Sequence, residues 1–332
     1  MRRLRASVVA LLATLAGCGG VRPAPVAAER AFHLDPLTDL VASPHLAWLV
    51  QAKPRSLYAL PALAAALEEL VGSARLASFT RAHGGLDPRG LQEIVYARYE
   101  AGLGHAPGEL WLGRGYIPTS AVETAELNAF PYVRQHARDA SGLIRIEARA
   151  DNAPVDVLLF GHQGLAHGTA AAVPAKAARA FAEERLKKVR PALSTGPLTE
   201  LERALGPAEV RVFGVRPDRA FARDGLFEHF EALGLAVLPS ESSGTLVLTL
   251  RVVGVGPFAE REKVVEAEVN RRLKRIDGSR VGALLGLTQA PPWVVRADAR
   301  TVVAERIVQG ATFLHGLHLA TGADTTELFA NP

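Results

Sequence analysis

Cysteine is almost absent from this chain: Cys18 is the only one among 332 residues. With Cys18 committed elsewhere, no disulfide can form, and an exported chain must then rely on its hydrophobic core. Methionine occurs only at position 1, which reads as compositional bias rather than function. Long apolar runs are missing as well. The N-terminal one, Ala6 to Ala16, is about half of the roughly 20 residues that a spanning helix needs. Charge of one sign is not in excess. The chain carries 38 basic and 34 acidic side chains, and residues 1–17 hold Arg2, Arg3 and Arg5 but no acid. Without that segment the balance is 35 against 34, which leaves no electrostatic footprint for nucleic acid. Catalytic signatures are missing too: there is no Gly-x-Ser-x-Gly, no Ser-x-x-Lys, no phosphate loop and no His-Glu-x-x-His. A triad assembled from remote positions stays open.

What is present begins at the N-terminus. Three arginines precede an apolar run that ends at Leu15-Ala16-Gly17-Cys18, the layout of a secretory signal. These four residues resemble the lipobox of bacterial lipoproteins. The resemblance covers about the first twenty residues. It implies removal of residues 1–17, a diacylglycerol on the Cys18 sulfur and an acyl group on its new amino end. It also implies attachment to a membrane through those chains. Gly19 stands where an aspartate commonly retains such proteins at the inner membrane, so the resemblance points to the outer membrane, facing the periplasm.

Residues 18–44 hold Gly19, Gly20, Pro23, Pro25, Pro36 and Pro44 without a lasting period, and read as a flexible tether. The remaining length suits two units of about 150 residues. Leu46–Val50 reads as a buried strand. Leu60, Leu63, Leu67 and Leu70 mark one helix face from Pro61, continued by Leu76 and Phe79 to a stop at Gly84-Gly85. Strands follow at Gln92–Tyr99 and Glu109–Tyr116, then a short helix at Thr119–Leu127. Ile144, Ile146 and Ala148 alternate with Arg145, Glu147 and Arg149, and a turn leads to a second strand at Val155–Phe160.

The alanines of 170–178 precede a helix expected to end near Arg190. The second half reads as a strand at Glu209–Val215, a helix near Arg219–Leu233 and a strand at Leu235–Leu238. A hairpin loop at Ser240–Gly244 leads to the clearest strand, Thr245–Val253. A helix over Pro257–Ile276, a short strand at Trp293–Val295 and a last helix over Val302–Ala320 complete the chain. Hairpins without clear strand–helix–strand units predict an α+β fold of largely antiparallel sheets, packed by long amphipathic helices on one side. The expected divisions are a signal at 1–17, a lipidated tether at 18–44, α+β halves at 45–172 and 173–325, and a tail at 326–332. The leucine-rich helix, Gly85-Leu86-Asp87-Pro88 and the apolar strand around Glu109–Trp111 resemble exported bacterial proteins built of two α+β halves, over residues 45–320. That resemblance implies an architecture and no activity.

Candidate site residues are few. His162 and His167 flank a glycine-rich turn where two rings could meet, but nothing nearby supplies the third ligand that metal sites need. A polar turn is the simpler reading. His315 and His318 are three apart on the expected last helix, with His318 beside Ile307, Ala311 and Leu314, as a core histidine would be. Arg271, Arg272, Lys274 and Arg275 form the densest basic cluster. They close a helix opened by Glu260, Glu262, Glu266 and Glu268, an order that the helix dipole favours. Contact with anionic lipid or polysaccharide is the competing use. Trp48, Trp111 and Trp293 read as core. No cofactor is implied. The expectation is a lipid-anchored envelope protein that binds a protein or polysaccharide, or supports an assembly, without catalysis. The alternative is an envelope hydrolase with a dispersed or histidine-metal site.

Overall fold

The computed structural model describes residues 32–101, 107–150, 153–169, 172–184, 190–216, 229–242 and 244–322. Cys18, the signal and the expected tail at 326–332 lie outside these residues. In chain order come β1 (Leu46–Ala52), α1 (Pro61–Val71), α2 (Ser73–Ala82), β2 (Glu93–Tyr99), β3 (Gly108–Arg114) and α3 (Thr119–Ala129). Then follow β4 (Tyr132–Arg138), β5 (Leu143–Ala150), β6 (Ala153–Phe160), β7 (Gly164–Thr169) and α4 (Ala172–Ala182). The second half has α5 (Pro197–Leu205), β8 (Val210–Val215), β9 (Ala232–Ser242), β10 (Thr245–Val255) and α6 (Glu262–Asp277). It closes with β11 (Val294–Ala297), β12 (Thr301–Gln309) and α7 (Gly310–Gly322).

The fold is α+β, with a 12-stranded antiparallel sheet in the order β11-β12-β10-β9-β8-β1-β2-β3-β7-β6-β5-β4. The two halves meet where β1 pairs with β8, Val50 opposite Val212. Each half repeats one topology outward from that seam. Three strands meander, a helix follows, and the last strand returns beside the third: β7 beside β3, β12 beside β10. Both halves contribute to a single central core that includes Leu49, Val95, Leu110, Leu201, Phe213 and Val253.

Helices cover both faces of this sheet, which corrects the one-sided expectation. On β10, Leu246, Leu248 and Leu250 face α1 and α7 together with Leu63 and Leu314. Val253 and Val255 point to the opposite face and lie fully buried in the central core, beside α5. The expected helix over Pro257–Ile276 carries Phe258, Val265, Val269 and Leu273; these do not meet the three leucines. They pack instead on Val302, Ala304 and Phe230 in a separate cluster. Leu248→Ala is expected to lose about 2–5 kcal/mol, as buried leucines do. Thr249 is only half-buried, so Thr249→Ala is expected to lose less than about 1 kcal/mol. Urea unfolding of the two variants checks this, and equal losses would contradict the packing.

Other expectations need correction. The tether does not reach residue 44. Phe32, Leu34, Leu37, Leu40 and Val41 are buried, Phe32 sets its ring edge-on to Phe160 at 5.3 Å, and the Leu37 N–H donates to buried Glu93 at 3.2 Å. Prolines masked these five apolar residues. The last helix begins at Gly310, because Val302, Ala304, Arg306 and Val308 alternate inward as β12. A buried arginine in that row hid its period of two. Leu233, where the expected helix was to end, lies in β9, while residues 217–228 fall outside the described ones. The alanine run itself forms α4, which ends at Ala182. Ser240–Ser242 extend β9, and the hairpin turns tightly at Gly244, whose φ of 75° glycine tolerates. The helix expected from Pro257 starts at Glu262. Strands β4 and β7 were not foreseen.

Candidate functional site

The outer strands β4, β5 and β6 extend beyond the cover of α4, which lies over β6 and β7. Alternation along β5 sends Ile144, Ile146 and Ala148 into the core under α3. It sends Arg145, Glu147 and Arg149 to the α4 side. On β6, Leu158 and Phe160 reach the central core beside α4, and Asp156 shares their face. The register places Glu147 directly opposite Asp156, and Tyr132 opposite Arg149. A bulge between Val133 and Gln135 breaks the β4 ladder beside Arg134. These residues, with Pro131, Pro154 and Lys176 of α4, line an open cleft of about 740 Å³.

Two carboxylates directly opposite each other repel, so this pair needs compensation. Arg145 supplies it, with Nη2 against Glu147 and 3.9 Å from the Asp156 carboxylate. Asp156 is 5% exposed, and its Oδ2 has no hydrogen-bond partner. Burial pushes the Asp156 carboxyl above the usual range; Arg145 and Lys176 oppose that and Glu147 adds to it. On the rim, Arg134 and Arg149 are exposed, and among the described residues neither has an ion-pair partner. The cleft therefore offers unpaired cations at its mouth and acceptor oxygens in its floor.

The folded protein holds the Asp156 proton more tightly than the unfolded chain does. The associated stabilisation is complete below about pH 4, the ordinary aspartate value, and is lost as pH rises through the raised folded value. Asp156→Asn removes this titration. The stability of the variant relative to the parent is expected to grow between pH 4 and pH 7 in urea titrations. A constant difference across that window would contradict the assignment.

The histidines singled out in the sequence have separate surroundings. His162 Nδ1 lies 2.9 Å from the Ile117 carbonyl and 3.1 Å from Thr119 Oγ1, and the ring stacks near Tyr116. His167 sits on β7 beside Phe130. Burial lowers its pKa; nearby Glu126 opposes this and His83 adds to it. Glu126, itself buried, bonds His83 Nδ1 at 2.9 Å. Gly84 permits that approach, since a Cβ there would meet the Ala121 backbone at 2.3 Å. Among the described residues no group of three or more His, Cys, Asp or Glu side chains is placed to hold a metal ion.

On α7, His315 bonds exposed Glu69 at 3.2 Å. His318 is exposed rather than core, because Ile307 belongs to a strand and points outward. Arg271 and Arg272 both pair with Glu268, while Lys274 and Arg275 occupy the last turn of α6, so the basic cluster sits where the helix dipole favours it. Trp111 is 45% exposed, tilted over Tyr96 at 4.5 Å, and is not core. Sequence reasoning missed the cleft because Arg145, Glu147 and Arg149 read as the wet face of a strand. Their available signal was Asp156, an acid inside the otherwise apolar run Val155–Phe160.

A scan against protein-family models finds no match, and neither do searches of curated proteins and of solved structures.

Proposed function

We propose that this chain is a lipid-anchored envelope protein that binds a partner through the cleft on strands β4–β6. The observation that carries the binding reading is the pair Arg134 and Arg149, exposed at the mouth of an open cleft and without an ion-pair partner among the described residues. Its address rests on Leu15-Ala16-Gly17-Cys18 and on Gly19, which favour the outer membrane and the periplasm. The chain would meet the membrane through the acyl chains on Cys18, and an envelope protein or polysaccharide through the cleft, with no nucleic acid and no cofactor involved. A photo-crosslinker replacing Tyr132 is expected to give adducts in living cells that sediment with the envelope. The same group replacing Val294, at the far edge of the sheet, should give none. Equal labelling from the two positions would sink the proposal.

One observation favours a second reading, an envelope hydrolase. Glu147 and Asp156 face each other, and burial favours the protonated form of Asp156. Two carboxyls close together in one cleft are the residue types that glycoside hydrolysis uses as its acid–base pair. Under this reading Glu147→Gln abolishes cleavage of a saccharide that the protein still binds.

A further inference from the structure

We infer that the β4–β6 cleft is a site for an acidic saccharide, a chain bearing carboxylate groups beside hydroxyls. The inference rests on the binding reading above and names the class of ligand. Three cations, Arg134, Arg149 and Lys176, line the cleft with two carboxylates, Glu147 and Asp156, which Arg145 already partly neutralises, so the site attracts anions. Arg134 and Arg149 have no partner among the described residues, and guanidinium groups grip carboxylates in a two-pronged geometry. A neutral sugar would leave both cations without a counterion.

The floor requires something different. Asp156 Oδ2 is buried without a partner, and Glu147 lies directly opposite. These oxygens accept hydrogen bonds, and sugar hydroxyls donate them, whereas a bare phosphate would meet only repulsion there. Tyr132 is exposed and stands with Pro131 and Pro154 along the wall. They offer flat apolar faces to a sugar ring. The volume falls in the range of small-molecule sites, roughly 300–1,000 Å³.

Phe32, where the described residues begin, packs on Phe160 at the end of β6, whereas the cleft opens at the start of β6, about 13–20 Å away at ~3.3 Å per residue. Vesicles of anionic phospholipid separate a lipid headgroup from a saccharide as the source of the anionic group.

Isothermal titration calorimetry on the lipidated mature chain in nanodiscs of neutral lipid tests this. The probes are hexagalacturonic acid, its methyl ester and vesicles containing anionic phospholipid. The acid is expected to bind one to one, and the ester is not. Arg134→Ala with Arg149→Ala should weaken binding at least about tenfold, because two charge-assisted contacts are lost. Arg271→Ala with Arg275→Ala should leave it unchanged. Acid and ester binding alike, equal affinity in the Arg134/Arg149 variant, or heat from the vesicles alone would each overturn the inference. An unlipidated chain that binds the acid would keep this inference while removing the anchor from the preceding proposal.

Discussion

Arg306→Met is expected to cost about 3–5 kcal/mol of folding stability, the usual result of removing one partner from a buried ion pair. The Arg306 side chain is 1% exposed on β12, in a row that is otherwise Val302, Ala304 and Val308. Its Nη1 bonds Asp277 at 2.6 Å. Its other nitrogens donate to the carbonyls of Leu287, Ala290 and Pro291, and its guanidinium lies 4.9 Å from the Trp293 ring centre. This one side chain therefore ties the end of α6, the loop at 285–293 and β12 together. It also sits between two apolar clusters, the α6 cluster with Val302 and Ala304 and the α7 cluster with Val308. Methionine would fill much of the volume but take the guanidinium donors from the carbonyls and leave Asp277 only the Trp293 Nε1–H at 3.3 Å. Asp277→Asn keeps an acceptor for Arg306 and should cost less. With typical stabilities of about 5–15 kcal/mol and no disulfide, Arg306→Met removes a large share of the total. Urea unfolding gives the values, and a loss under about 1 kcal/mol would show the network to be dispensable.

Cys18→Ser is expected to abolish acylation altogether. A serine oxygen cannot form the thioether through which a lipobox cysteine is lipidated, and the step that removes the signal follows that lipidation. The product should accumulate with residues 1–17 attached or leave the membrane fraction. No described helix is long and apolar enough to cross a membrane. From Cys18 to Phe32 the extended chain spans at most roughly 50 Å, which bounds how far from the surface a lipidated Cys18 would let Phe32 stand. Cell fractionation with a detergent and a high-salt arm separates the outcomes. Wild-type protein should be released by detergent only. A Cys18→Ser protein that sediments like wild type would show that another element holds it.

Much of the fold was legible because alternation and helix spacing are local signals. Ile144, Ile146 and Ala148 marked β5, and Leu246, Leu248 and Leu250 marked β10, because each strand puts its apolar residues on one face. What covers those faces was not legible. The leucines of β10 meet Leu63, which is distant in sequence, and nothing in a local window reports that contact. Failures came where a polar residue occupies a buried position. Arg306 turned a strand into an apparent helix, and the exposed, charged β4 carried no apolar signal at all. The cleft failed for the same reason, since its chemistry depends on register: Glu147 and Asp156 are opposed only once β5 and β6 pair. His162 and His167 show the converse, because closeness in sequence suggested a site that the turn at 161–163 separates.

The claim on which the functional account stands is that Cys18 carries lipid. Protein extracted by detergent from the membrane fraction, digested with trypsin and analysed by tandem mass spectrometry reads this directly. The account predicts that the N-terminal peptide is Cys18–Arg30, since trypsin does not cut between Arg22 and Pro23, bearing a diacylglyceryl group on sulfur and an acyl chain on nitrogen. An N-terminal peptide that starts upstream of Cys18, or an unmodified cysteine in the mature chain, would contradict it.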